Sequence, residues 1–340
     1  MARKSKIKER ISRYWHAREH EAKKKLRERE KVYDREVEKI YRETMEDIQK
    51  EIEAFYGKYA EEEGITLAEA KRRASKLDID EYARKAKKYV AEHDLSPQAN
   101  AEMKLYNLTM KVNRLELLKA KIGLRLVKGY DKLEKYFNVT LAEEAMKEYR
   151  RMAGILGDSI LADVNARTVK ASVMGSFHNA TWSERIWTNQ DLLKLELSKL
   201  LSRGLIQGKN PNVLARELRK TFNVSQYEAE RLMRTELARV QTDAQMDSFV
   251  RAGFDRYLYI ACGLKDVCED CKALDGRDFA ISDMEPGKNA PPMHPFCHCS
   301  TAPYEDEDEY EAWLSFLEHG GSTAEWNRYG KARWEKNRKK

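Results

Sequence analysis

Only two of the chain's seven prolines, Pro97 and Pro211, precede residue 286; the other five are crowded between Pro286 and Pro303. Proline removes a backbone donor and clashes with the preceding helical turn, so its scarcity leaves most of the chain free to be helical. Its crowding after residue 285 excludes a long helix there. This asymmetry predicts a mainly α fold, with an elongated helical N-terminal region followed by a compact α+β C-terminal domain. The expected boundaries are 1–170 for the charged helical region, 171–304 for the compact domain and 305–340 for an acidic then basic tail.

Apolar spacing supports this division. Val37, Ile40, Ile48, Ile52, Phe55 and Tyr59 recur at intervals of three and four or their sums, which places them on one helix face. Gly64 fits a helix stop, and Thr66 with Glu69 forms a capping box for the next helix. Ser96-Pro97 opens a further segment carrying Leu105, Leu108, Val112, Leu115, Leu118, Ile122 and Leu126. That stripe suits either the buried face of a bundle helix or a coiled-coil seam for self-association. Gly129, Asn138, Gly154 and Gly157 are expected to interrupt the following stretch. Beyond them Trp182, Ile186, Leu193, Leu197 and Leu201 predict a helix ending at Gly208. Asn210 or Pro211 starts a short helix through Leu214 and Leu218, and Ser225 with Glu228 caps another that runs to about Ala252. Tyr257–Ile260 then favours a strand.

Charged residues make up 36% of the chain and the net charge is +7. Residues 1–31 hold thirteen Lys/Arg against five Asp/Glu, and residues 328–340 hold seven against one, so the intervening chain is net acidic. Basic ends can engage DNA through counterion release or an acidic protein surface through steering. Tyr14, Trp15, Trp326, Tyr329 and Trp334 lie among these charges, as stacking on bases or anchoring to a partner protein would require. No secretory signal is expected, since no apolar run follows the basic N-terminus. Nor is a membrane span expected, because the longest apolar runs fall short of the ~18 residues needed.

Four of five cysteines and two of seven histidines fall between residues 268 and 299, as Cys268-x-x-Cys271 and His294-Pro295-Phe296-Cys297-His298-Cys299. In a reducing compartment such close spacing favours metal over disulfide. A C-x-x-C turn puts two thiolates on one side of a loop, where they can share an ion with Zn–S bonds of about 2.3 Å. The expected ligands of one structural zinc are Cys268, Cys271, His294 and one or both of Cys297 and Cys299. His298 ranks last among the candidates, and Cys262 reads as a buried small hydrophobe.

Three blocks in order carry a family resemblance: Trp182-Ser183-Glu184-Arg185-Ile186-Trp187, then Arg231-Leu232-Met233-Arg234-Thr235-Glu236, then the cysteine region with Asp275-Gly276 and Pro291–Cys299. Over about residues 180–303 the chain resembles phage minor head, or head morphogenesis, proteins of the Mu F-like type. The position of His298 departs from that pattern, which usually has Arg there. The resemblance implies a virion component of the phage head, associated with the portal and acting in head assembly, DNA packaging or ejection. It implies the portal and other head proteins as partners, and the host cytoplasm as the place of assembly. Phage DNA is a further partner suggested by the basic termini.

Two other readings carry distinct expectations. Arg234 and Glu236 would serve an enzyme of the ADP-ribosyltransferase type to which the family has been likened, but ion pairs Glu230–Arg234 and Glu236–Arg239 explain the same residues. A DNA-binding zinc protein would use the basic ends. No catalytic constellation is assembled by the motifs, so a non-enzyme is expected.

Overall fold

The computed structural model describes residues 2–62, 106–206, 211–262, 267–304 and 307–338. The expected stop at Gly64, the box at Thr66–Glu69, the start at Ser96-Pro97, Leu105 and the stop at Gly208 lie outside these residues. Among the described residues the fold is mainly helical. Helices α1 (Ala2–Glu62), α2 (Tyr106–Leu156), α3 (Ala166–Val173), α4 (Trp182–Ile206) and α5 (Pro211–Arg251) are followed by strand β1 (Arg256–Ile260). The short helix α6 (Glu269–Leu274), strands β2 (Asp278–Ala280) and β3 (Ser300–Tyr304), and helices α7 (Glu307–Glu318) and α8 (Lys331–Arg338) complete the chain. β1 is the middle strand of a three-stranded antiparallel sheet, paired with β2 on one side and β3 on the other.

The chain divides into two compact units, one of Met1–Arg35, Lys135–Glu184 and Glu230–Lys340, the other of Glu36–Glu134 and Arg185–Ala229. In the second unit α1 and α2 run antiparallel. Arg125 pairs with Glu51 at 2.7 Å and Lys132 with Glu43 at 3.1 Å. Val37, Ile40, Ile48 and Ile52 are buried, as are Leu115, Leu118, Ile122 and Leu126. Leu115, Leu118, Ile122 and Leu126 of the stripe thus form the buried face of a bundle helix. A hydroxyl cluster also lies inside this unit: Tyr41 donates to Tyr130 at 3.0 Å, and Ser225 Oγ sits 2.7 Å from the Tyr130 hydroxyl.

That cluster explains one departure from expectation. Ser225 is buried and engaged by tyrosines, so it caps nothing, and α5 runs unbroken from Pro211 to Arg251. Likewise α2 continues through Gly129 and Asn138 and stops only at Gly157, whose φ of 120° suits glycine. A helical glycine costs about 1 kcal/mol relative to alanine, and close packing offsets this at Gly129. A Cβ there would lie 2.2 Å from Thr44 Oγ1 and 2.9 Å from its Cγ2. Thr44 cannot easily yield, because its hydroxyl donates to the Ile40 carbonyl at 2.7 Å. Gly129→Ala is therefore expected to lower unfolding free energy by about 1–2 kcal/mol despite the better helix propensity. Urea titration tests this, and a gain in stability would show that the close approach is unimportant.

The first unit packs around aromatic residues. Trp15 is fully buried and stacks on Trp313 with ring centroids 6.4 Å apart, while Phe254 meets Trp313 edge-on. Tyr149, Met152, Phe249, Tyr257 and Leu258 share this core, and Trp326 is 5% exposed. Trp313 Nε1 donates to Thr323 Oγ1, which in turn donates to the Ile155 carbonyl. Trp15 and Trp326 are therefore core residues. The expectation that they stack on bases fails because their ring faces are already covered. No helix among the described residues is long and apolar enough to cross a membrane.

Candidate metal centre

The sheet and its connections bring the cysteine region together. β1 ends at Ile260, and the backbone N–H of Ala261 donates to Asp275 Oδ1 at 2.8 Å. Gly276, with φ of 69°, makes the turn into β2 and donates its N–H to the Tyr259 carbonyl. Between these points Cys268 occupies the N-cap of α6, its Sγ accepting from the Cys271 N–H at 3.4 Å. The C-x-x-C spacing therefore forms a capped helical turn that faces both sulfurs inward. The second arm is the loop before β3. Phe296 adopts φ of 62°, and the N–H of Cys297 bonds back to the His294 carbonyl at 3.1 Å, which folds His294 and Cys297 onto the same side.

The arms meet in two groups. Cys268, Cys271 and His294 form one, and Cys271, Cys297 and Cys299 the other; within each, the ligand atoms lie within 4.8 Å of one another. His294 Nε2 is 3.3 Å from Cys268 Sγ and 3.7 Å from Cys271 Sγ. Its Nδ1 lies 2.8 Å from the Pro295 carbonyl oxygen, which can only accept a proton. In the neutral ring the hydrogen therefore sits on Nδ1 and the Nε2 lone pair faces the sulfurs, as a metal ligand requires. Tyr259 donates its hydroxyl to Cys271 Sγ at 3.3 Å, and the Cys262 N–H lies 3.4 Å from Cys299 Sγ.

The thiols do not lose protons independently. Hydrogen bonds from Cys271 and Cys299 hold Cys297 below the usual thiol range, while the bond to Cys297 pushes Cys271 above it. Cys299 is also raised, through its contacts with Cys262, Cys271 and Cys297. Close-set thiolates repel one another unless a cation lies among them. A borderline-soft divalent ion relieves this repulsion, and sulfur with imidazole nitrogen is the donor set that suits zinc. The residues present therefore fit a metal ion.

Sequence reasoning did not identify the groups that surround this cluster. Tyr259, Asp275 and the Cys262 N–H come from the sheet, and contacts from α1 reach it as well. His298 Nε2 lies 3.1 Å from Glu30 Oε2 and so faces α1. Arg234 and Glu236 also acquire places. Arg234 pairs with Asp34 of α1 and lies over the Phe296 ring, its guanidinium carbon 5.2 Å from the centroid. Glu236 pairs with Arg239 at 2.6 Å, as the helical spacing leads one to expect. Arg239 also donates to the Ser172 and Val173 carbonyls at the end of α3, where Trp182 Nε1 donates to the same Val173 carbonyl. The aromatic block and the Arg-Thr-Glu block therefore converge on one helix end.

These features define a helical protein whose small antiparallel sheet carries a Cys/His cluster able to hold a metal ion. Residues 196–302 match the model of a family described as Phage Mu protein F like protein. No curated protein and no solved structure matches the chain.

Proposed function

We propose that the chain is a minor structural component of a phage head, assembled in the host cytoplasm, associated with the portal and held together in its C-terminal part by one zinc ion. The observation that carries this reading is the family match over the segment containing α5, the sheet and both metal-ligand arms. Cys268, Cys271, His294 and Cys297 are the ligands we assign. Cys297 belongs with Cys271 in the second group, and its N–H bonds to the His294 carbonyl at 3.1 Å. Cys299 takes the Cys262 N–H and adjoins β3, so it serves as the alternative fourth ligand. Four protein donors close the coordination shell and leave no position for a reacting water, which supports a structural role. The Arg234 and Glu236 ion pairs support the same conclusion, since both charges are engaged within the fold.

Co-expression with the portal protein of the same phage tests the assembly role. The expected result is a complex that co-elutes in size-exclusion chromatography and persists at 0.5 M salt, roughly where exposed ion pairs are screened within a few ångströms. Elution of the two proteins apart would remove portal association from the proposal. DNA binding is the competing reading, favoured by Arg18, Lys24, Lys25 and Lys31 on the exposed face of α1. Removing residues 1–31 would extract Trp15 and Leu26 from the core, so substitution of these four residues by Ala is the cleaner comparison. Salt-dependent DNA retention that vanishes in that variant, with no portal complex, would favour the nucleic-acid role.

A further inference from the structure

Four residues of α1 face the ligand-bearing arms: His16, Glu19, Glu30 and Asp34. Their spacing of three, eleven and four places them along one side of the helix. His16 Nε2 lies 3.1 Å from Asp275 Oδ1, the oxygen that also takes the Ala261 N–H. Asp275 closes the arm that holds Cys268 and Cys271. The other three residues reach the second arm. Glu30 accepts from His298, between Cys297 and Cys299, and Glu19 accepts from Ser300 Oγ at 2.7 Å. Asp34 holds the guanidinium of Arg234 over Phe296, inside the His294–Cys297 turn. Glu19 and Glu30 are 1% and 5% exposed, so these contacts are shielded from water. Glu19 is further fixed by Arg151, whose two terminal nitrogens donate to its two oxygens at 2.7 and 2.9 Å.

A metal ion held by the assigned ligands would join the same two arms. The helix and the ion therefore restrict the same conformational freedom, and whichever engages first reduces what the other must order. We infer that α1 is an outer clamp of the metal centre, with His16 and Glu30 as positioning residues that raise metal affinity without touching the ion. The inference rests on reading the Cys/His cluster as a zinc site. Linkage makes it reciprocal: if the clamp strengthens zinc binding, zinc must hold the clamp closed by the same factor.

The test uses the full chain and zinc, with affinity read by competition against a chromophoric chelator. Outer-shell changes typically cost about 10–100-fold in metal affinity, and His16→Ala with Glu30→Ala is expected to fall in that range. Glu30→Gln keeps an oxygen acceptor for His298 and is expected to stay near the parent. Val32→Ala, at an exposed position of the same helix, is expected to leave zinc affinity unchanged. Parental zinc binding with a double variant that binds within about twofold would overturn the clamp alone, twofold being far below the outer-shell range. A parental chain that binds no zinc would overturn the reading of the cluster, and the clamp with it. Should the double variant fail to fold, hydrogen exchange on the parental chain decides the matter. After chelation, amides of residues 13–35 are expected to exchange about tenfold faster or more, matching the reciprocal coupling. Unchanged rates would overturn the clamp.

Discussion

Arg239→Met is expected to lower the unfolding free energy by about 3–5 kcal/mol, the usual effect of breaking a buried ion pair by removing one partner. Arg239 and Glu236 have side chains 1% exposed, and Asp243, 24% exposed, takes a second bond from the same guanidinium at 2.7 Å. Methionine fills much of the volume but leaves two carboxylates without their counter-charge, and the Ser172 and Val173 carbonyls at the end of α3 each lose one donor. Gly175 shows how closely the arginine is fitted, since a Cβ there would lie 2.6 Å from Arg239 Nη1. The loss should depend on pH. Burial, reinforced by Glu236, already raises the Asp243 carboxyl to about 6, against the attraction of Arg239. Without Arg239 it rises further. An acid whose folded-state pKa is raised binds more protons in the native than in the unfolded state, so its contribution is present at low pH and declines as pH increases. The variant's deficit should therefore be smaller near pH 5 than near pH 7.5. Denaturant titrations at the two pH values check both claims. A loss below about 1 kcal/mol would place this cluster among weak surface pairs.

Cys271→Ser is expected to remove bound zinc from the purified chain, whereas Cys299→Ser retains it. Cys271 accepts the Tyr259 hydroxyl and is the sulfur common to both groups of candidate ligands, so its loss breaks the link between them. Elemental analysis should find about one zinc per parental chain and almost none in the variant, as a closed four-ligand site requires. The thermal midpoint should drop by about 10 °C or more, because zinc binding to such sites is coupled to folding. Only the region around the cluster depends on the ion in this way. β1 and β3 also pack into the aromatic core, so the helical content should survive metal loss. Equal zinc in parent and variant would overturn the ligand assignment, and loss in Cys299→Ser with retention in a Cys297→Ser chain would exchange the fourth ligand.

Much of this architecture is legible in local pattern. The apolar intervals at Val37–Ile52 and Leu115–Leu126 correspond to buried faces, and Pro211 does begin a helix. Tyr257–Ile260 lies in the central strand, and the C-x-x-C turn brings its sulfurs to one side. Such features depend on residues within a few turns of one another. Helix continuity was read less well. Gly129 and Asn138 carry signals for ending a helix and Ser225 one for starting it, worth about 1 kcal/mol each, and in this chain tertiary burial outweighs them. Ser225 fails as a cap because two tyrosines from other helices claim its hydroxyl.

The candidate metal centre shows the same division. By itself the sequence determined that the chain would be mainly helical, that its prolines and cysteines would meet in a small non-helical region, and that this region resembles phage Mu F-like proteins. Ligand type and spacing are properties of neighbouring residues, so they can be read without a fold. Only the tertiary structure decided that Trp15 and Trp326 belong to the core, that Arg234 lies over Phe296, and that His16, Glu19 and Glu30 reach the two arms of the cluster. The physical reason is distance along the chain. His298 and Glu30 are 268 residues apart and Ser300 and Glu19 are 281 apart, so no local periodicity records their contact. It arises only when burial of the aromatic core brings α1 against the sheet.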